Sequence, residues 1–173
     1  MRFATAPRLI AATALVAACS GESTAPTTAT LPSARQARGT ATHAIDLVAV
    51  VGTGTGAVNV TPTAEDGGTF HVQGTVHIRG AAPNTTYIIQ RAPDLNVGDP
   101  ACTGPWISFP IPNAGPIATL TTSRGGAGAA HFELAVGGSF VSGTPFNVRF
   151  RVIDDVANPT SELTSACVTV VVK

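Results

Sequence analysis

Thr69-Phe70-His71-Val72-Gln73-Gly74-Thr75-Val76-His77-Ile78-Arg79 alternates without a break. Phe70, Val72, Val76 and Ile78 fall on one side with Gly74 among them, while Thr69, His71, Gln73, Thr75, His77 and Arg79 fall on the other. Period-two patterning over this length describes a strand with one face packed on a core and one face wet. Gly74 interrupts the apolar row, and a glycine in a strand interior predicts a bend or bulge there.

The same period recurs on both sides of this stretch. Ile45, Leu47, Ala49 and Val51 form one apolar face, and Val58 and Val60 another. Downstream come Tyr87–Ala92 and Ile117–Thr122, then Phe132, Leu134 and Val136 with His131 and Glu133 outward. Phe146, Val148, Phe150 and Val152 alternate with Asn147, Arg149 and Arg151, and Ala166, Val168, Val170 and Val172 line the last segment. Glu65-Asp66-Gly67-Gly68, the run Ser123–Gly128 and Gly137-Gly138 supply turn chemistry between them. No helical period survives after Ala44. About eight or nine short antiparallel strands with turn signals between them predict an all-β sandwich over residues 44–173. Gly52-Thr53-Gly54-Thr55-Gly56 reads as a tight turn, because a phosphate loop opens a helix and strand alternation follows here instead.

Two segments carry family resemblances. Pro83-Asn84-Thr85-Thr86-Tyr87 resembles the Pro-x-Thr-x-Tyr segment of fibronectin type III domains, which implies that Tyr87 bonds back to its preceding loop as a tyrosine corner. Val152–Ser161, with Asp154-Asp155 and Asn158, resembles the last hairpin of bacterial immunoglobulin-like domains. Together they imply an immunoglobulin-like sandwich. The fibronectin pattern has one strand left after its tyrosine, whereas here residues 88–173 remain.

Leu15-Val16-Ala17-Ala18-Cys19 resembles the lipobox of bacterial lipoprotein signal peptides. Arg2 and Arg8 precede the apolar run Leu9–Ala18, which is too short for a permanent span. The resemblance implies that residues 1–18 are removed and Cys19 is lipidated, tethering the chain to a membrane of the bacterial cell envelope. The competing reading is an ordinary secretory signal cut after Ala18. Ser20, in place of the Asp of inner-membrane retention signals, favours the outer membrane if the source is Gram-negative. Residues 19–43, rich in Ser, Thr, Ala and Pro, bury too little apolar surface to repay the entropy of ordering, and read as a flexible linker.

With Cys19 assigned to lipid, Cys102 and Cys167 remain as a pair in an oxidising compartment, and a disulfide between them is expected. The alternatives are two free thiols or a metal site, and the absence of a nearby His or third Cys makes poor zinc spacing. Charged residues are 12% of the chain and aromatic residues 5%. Without Arg2 and Arg8 the ten basic residues fall to eight against ten acidic ones, a net charge of −2. No basic stripe exists to neutralise phosphates, which argues against nucleic acid as a partner.

Candidate chemistry is sparse. Phe70-His71-Val72-Gln73 invites comparison with the His-Val-His pair of copper/zinc superoxide dismutases, but Gln73 stands in the second position. His71 and His77 lie about 20 Å apart along one strand, at ~3.3 Å per residue, and cannot share an ion. His71, His77, His131 and Glu133 form the candidate metal-binding or enzymatic face if their strands pair, against the plainer reading of solvated polar positions. Glu65-Asp66 and Asp154-Asp155 with Asn158 are candidate calcium ligands or ordinary polar turns. Trp106, in the proline-rich Pro93–Pro116 segment, is either a binding residue for a protein or glycan or a cap on one end of the core. No Gly-x-Ser-x-Gly nucleophile elbow is present. The expectation is a non-enzymatic envelope lipoprotein without cofactor, serving structure or binding.

Overall fold

The computed structural model describes residues 42–64, 69–97, 101–109, 117–137 and 141–173. The leader, Cys19, the linker up to residue 41 and the Glu65-Asp66 pair lie outside the described residues, and the last linker residue, His43, already belongs to a strand.

Ten strands form among the described residues: β1 His43–Val51, β2 Thr55–Ala64, β3 Thr69–Arg79, β4 Thr86–Asp94, β5 Ile107–Ser108, β6 Thr119–Thr121, β7 Gly128–Gly137, β8 Pro145–Ile153, β9 Glu162–Thr164 and β10 Val168–Val171. Every ladder is antiparallel, and no described residue is helical. The fold is all-β, as the alternation requires. The count exceeds eight or nine because β5 and β9 span only two and three residues, too few to show a period.

The ladder runs β5-β4-β8-β9-β1-β2-β3-β7, with β10 also on β8 and β6 also on β4. Two edges are shared. β8 pairs with β10 over Pro145–Val148 and with β9 over Arg151–Ile153. β4 pairs with β6 over Thr86–Ile88 and with β5 at Gln90 and Arg91. β9 then passes the ladder on to β1, with a register shift between Ala49 and Val51. The sheet therefore curls until its two halves face each other. Phe70 of β3 meets Phe146 of β8 edge-on at 5.8 Å, and Phe132 of β7 lies 4.4 Å from Phe109, just past β5. The C-terminus closes one side: Lys173 N–H donates to the Pro62 carbonyl, and Ala64 N–H to that of Lys173, both at 3.0 Å.

Gly74 corrects the expectation of a bulge. The β2–β3 and β3–β7 registers run through it unbroken, opposite Val60 and Phe132. The missing side chain makes room instead. An added Cβ would overlap the tip of the Phe132 ring and lie 2.8 Å from the Asn59 carbonyl oxygen.

Tyr87 is fully buried, and its hydroxyl accepts the Ala82 N–H at 3.2 Å. That is the backward bond which the tyrosine-corner resemblance implied. The same hydroxyl shares a 2.6 Å hydrogen bond with Ser161 Oγ, so it also ties the loop before β4 to the β8–β9 connection.

Cys102 and Cys167 are joined in a disulfide with a Cα–Cα separation of 5.5 Å. Cys102 is fully buried, and its neighbour Gly104 passes so close to β4 that a Cβ there would collide with the Pro93 carbonyl. The bridge holds this loop against the outer side of the β4–β8–β10 half.

Candidate functional site

Alternation along β4 sends Tyr87, Ile89 and Arg91 to the interior. The first two are ordinary core side chains; the third is an arginine only 8% exposed. Its guanidinium lies 4.5 Å over the Phe109 ring, and Nη1 donates to the Ser108 carbonyl at 3.4 Å. A guanidinium carries five N–H donors, and no carboxylate among the described residues pairs with this one. Burial pulls its pKa down to about 10, so it remains protonated at neutral pH.

Arg91 borders a cavity of about 250 Å³ between the two halves of the sheet, whose walls include Val72, Leu134, Phe146, Val148 and Phe150. Leu95, just past β4, also lines it and is 69% exposed, which places it at the rim. Interiors are normally packed without voids of this size. Among the described residues a single charged group thus faces an otherwise apolar space.

The outer face of β8 is chemically the reverse. Arg151 Nε donates to Gln90 Oε1 at 2.7 Å and its Nη1 lies 3.3 Å from Glu162 Oε1, so its charge is matched. The Trp106 ring lies 4.6 Å from the Arg149 guanidinium and 4.4 Å from that of Arg151. Trp106 therefore does not cap an end of the core; it covers two outward arginines of β8.

No family model, curated protein or solved structure matches the chain.

The histidine-bearing face is only partly assembled. The β3–β7 register sets Gln73 opposite Glu133, Thr75 opposite His131 and His77 opposite Ala129. His71 Nδ1 reaches Glu133 Oε1 diagonally at 3.6 Å, and Gln73 Nε2 donates to the same oxygen at 3.4 Å. Among the described residues no group of three His, Cys, Asp or Glu side chains converges where a metal ion would sit.

The Asp154-Asp155 pair spends its oxygens on the chain itself. Asp154 Oδ1 accepts the N–H groups of Asp155, Thr160 and Ser161 at 2.8, 3.1 and 3.1 Å, and Oδ2 accepts the Thr160 hydroxyl. Asp155 Oδ1 accepts the N–H groups of Ala157 and Asn158 at 2.8 and 3.2 Å. This is a carboxylate-organised turn between β8 and β9. Burial opposes ionisation of Asp154, but the hydrogen bonds from Thr160, Ser161 and Asp155 together outweigh it and hold the carboxyl below the usual range. A depressed folded-state pKa contributes stability above the unfolded value that is lost as pH falls through the folded one. Asp154→Ala is expected to cost about 1 kcal/mol at pH 7. Urea melts at pH 7 and pH 3 test this: the variant's deficit should shrink at pH 3, and an equal deficit at both pH values contradicts the account.

Sequence reasoning missed Arg91. Its only signal was a cation at the inward register of Tyr87 and Ile89.

Proposed function

We propose that this chain is a cell-envelope lipoprotein, anchored through an acyl group on Cys19, whose immunoglobulin-like β-sandwich is a non-enzymatic binding module. The observation that carries the binding half is the interlayer cavity with Arg91 in its wall. A purely structural sandwich gains nothing from a void beside a buried cation that no carboxylate among the described residues pairs, since both cost stability. The immunoglobulin-like description is supported by the Tyr87–Ala82 bond and the β8–β9 hairpin with its aspartate-organised turn.

The envelope half is supported by the lipobox-like Leu15–Cys19 stretch and by cysteine usage. Disulfides persist in oxidising compartments, and the Cys102–Cys167 bridge leaves Cys19 as the remaining cysteine for lipid. Ser20 favours an outer-membrane destination in a Gram-negative host. The residues from Cys19 up to the start of β1 then serve as the stalk that holds the domain off the lipid surface.

Metabolic labelling tests the anchor. Expressed in a bacterium, the chain should incorporate radiolabelled palmitate, Cys19→Ala should abolish the label, and globomycin should make the uncleaved precursor accumulate. Normal processing without label contradicts the anchor.

A further inference from the structure

We propose that the interlayer cavity binds a medium-chain fatty acid, its carboxylate on the Arg91 guanidinium and its tail among Val72, Leu134, Phe146 and Val148. The proposal rests on the binding-module reading and names its ligand class.

The head group follows from charge. Arg91 is buried, faces the cavity, and meets one acceptor among the described residues, the Ser108 carbonyl. An isolated buried charge is costly until an opposite charge with matching hydrogen bonds joins it. A carboxylate presents two coplanar oxygens to the planar guanidinium fork, so one ligand supplies both the charge and the acceptors. A phosphate dianion would bring a second negative charge, and among the described residues that line the cavity Arg91 is the sole cation. A cationic ligand would meet like charge in a low-dielectric space.

The tail follows from the walls. Apart from Arg91 the described lining residues are all aliphatic, aromatic or proline. Among the described residues no wall side chain other than Arg91 offers a hydrogen bond to a sugar or peptide, which argues for hydrocarbon. The 250 Å³ volume accommodates about eight heavy atoms at the ~30 Å³ that a water-sized group occupies in a liquid. A longer chain would emerge past Leu95, whose exposure puts an apolar side chain where such a tail would leave.

The test is a calorimetric titration of the mature chain carrying Cys19→Ser, so that no attached acyl group competes, with octanoate, octanol and octylamine at pH 7. Octanoate should bind about tenfold to hundredfold more tightly than octanol, the range expected of a charge-assisted pair, and octylamine should not bind. Arg91→Met should remove the preference for acid over alcohol, and Leu134→Phe, which fills the cavity, should weaken both. The wild-type comparison of acid with alcohol decides the matter even if either variant fails to fold. Equal binding of octanoate and octanol overturns the carboxylate assignment while leaving a binding cavity in place. Octanoate binding that survives Leu134→Phe unchanged places the ligand elsewhere and overturns the proposal. Absence of binding by any of the three overturns the proposal and the cavity-based binding reading with it.

Discussion

Gly74→Ala is expected to lower stability by about 3 kcal/mol, the upper part of the range for forcing extra atoms into a packed core. Alanine normally improves a strand position that held glycine, because it restricts the unfolded chain and relieves the entropic penalty of folding. Here the new Cβ would overlap the Phe132 ring on one side and press the Asn59 carbonyl on the other. Phe132 cannot easily retreat, since its far side packs on Phe109, which in turn lies parallel to Phe150 at 6.3 Å. The effect is therefore tied to one neighbour and is separable by a double-mutant cycle. Phe132→Leu alone opens a void and destabilises; combined with Gly74→Ala it should recover part of the loss, leaving a coupling of about 1 kcal/mol or more. Residual contact with Asn59 keeps the rescue incomplete. Urea melts of the two single variants and the double variant provide the check. Strict additivity would mean that Gly74 is required for its backbone and not for its neighbour.

Loss of the Cys102–Cys167 bridge is expected to cost about 4 kcal/mol, from the loop-closure entropy of a link across 65 residues. Against the ~5–15 kcal/mol typical of a domain, that is a large share. The cost should appear as a lower urea midpoint for the reduced chain or for the Cys102→Ser, Cys167→Ser double variant. A second signal reports on the same loop. The bridge holds the Cys102–Trp106 segment over β8, and the chain has one tryptophan, so its fluorescence isolates the stacking on Arg149 and Arg151. Reduction should redden and broaden that emission before global unfolding. Identical midpoints with and without reductant would contradict the structural role assigned to the bridge.

What the sequence disclosed, and what it did not, follows the range over which each signal acts. β3 and β8 declared themselves because alternation over eleven and nine residues has one physical reading. β5 and β9 left no trace, since these two short strands lie in no longer alternating run and are placed by the strands that they pair with. Gly74 was visible as an anomaly, but the choice between a bulge and a cradle depends on which residue stands opposite. That residue, Phe132, is 58 positions away in register with it, a pairing no local rule supplies. The same long-range register decided that His71 meets Glu133 while His131 faces Thr75. Trp106 allows two readings from sequence, a binding residue or a core cap, because its partners Arg149 and Arg151 lie more than 40 positions away on β8. Arg91 was passed over for a related reason. A cation at an inward register reads as an irregularity until the apolar walls around it, drawn from β2, β3, β7, β8 and β10, are brought together.

The claim on which the functional account turns is that Arg91 and the cavity beneath it receive the acid group and tail of one amphiphile. Isotope-filtered nuclear Overhauser spectra of the mature chain with octanoate test it most directly. The account predicts contacts from the octanoate methyl group to Leu134, Val148 and the Phe146 ring, with a downfield shift of the Arg91 Nε proton. Contacts confined to outward residues such as Trp106 or Val50, with the Arg91 resonance unmoved, would contradict it.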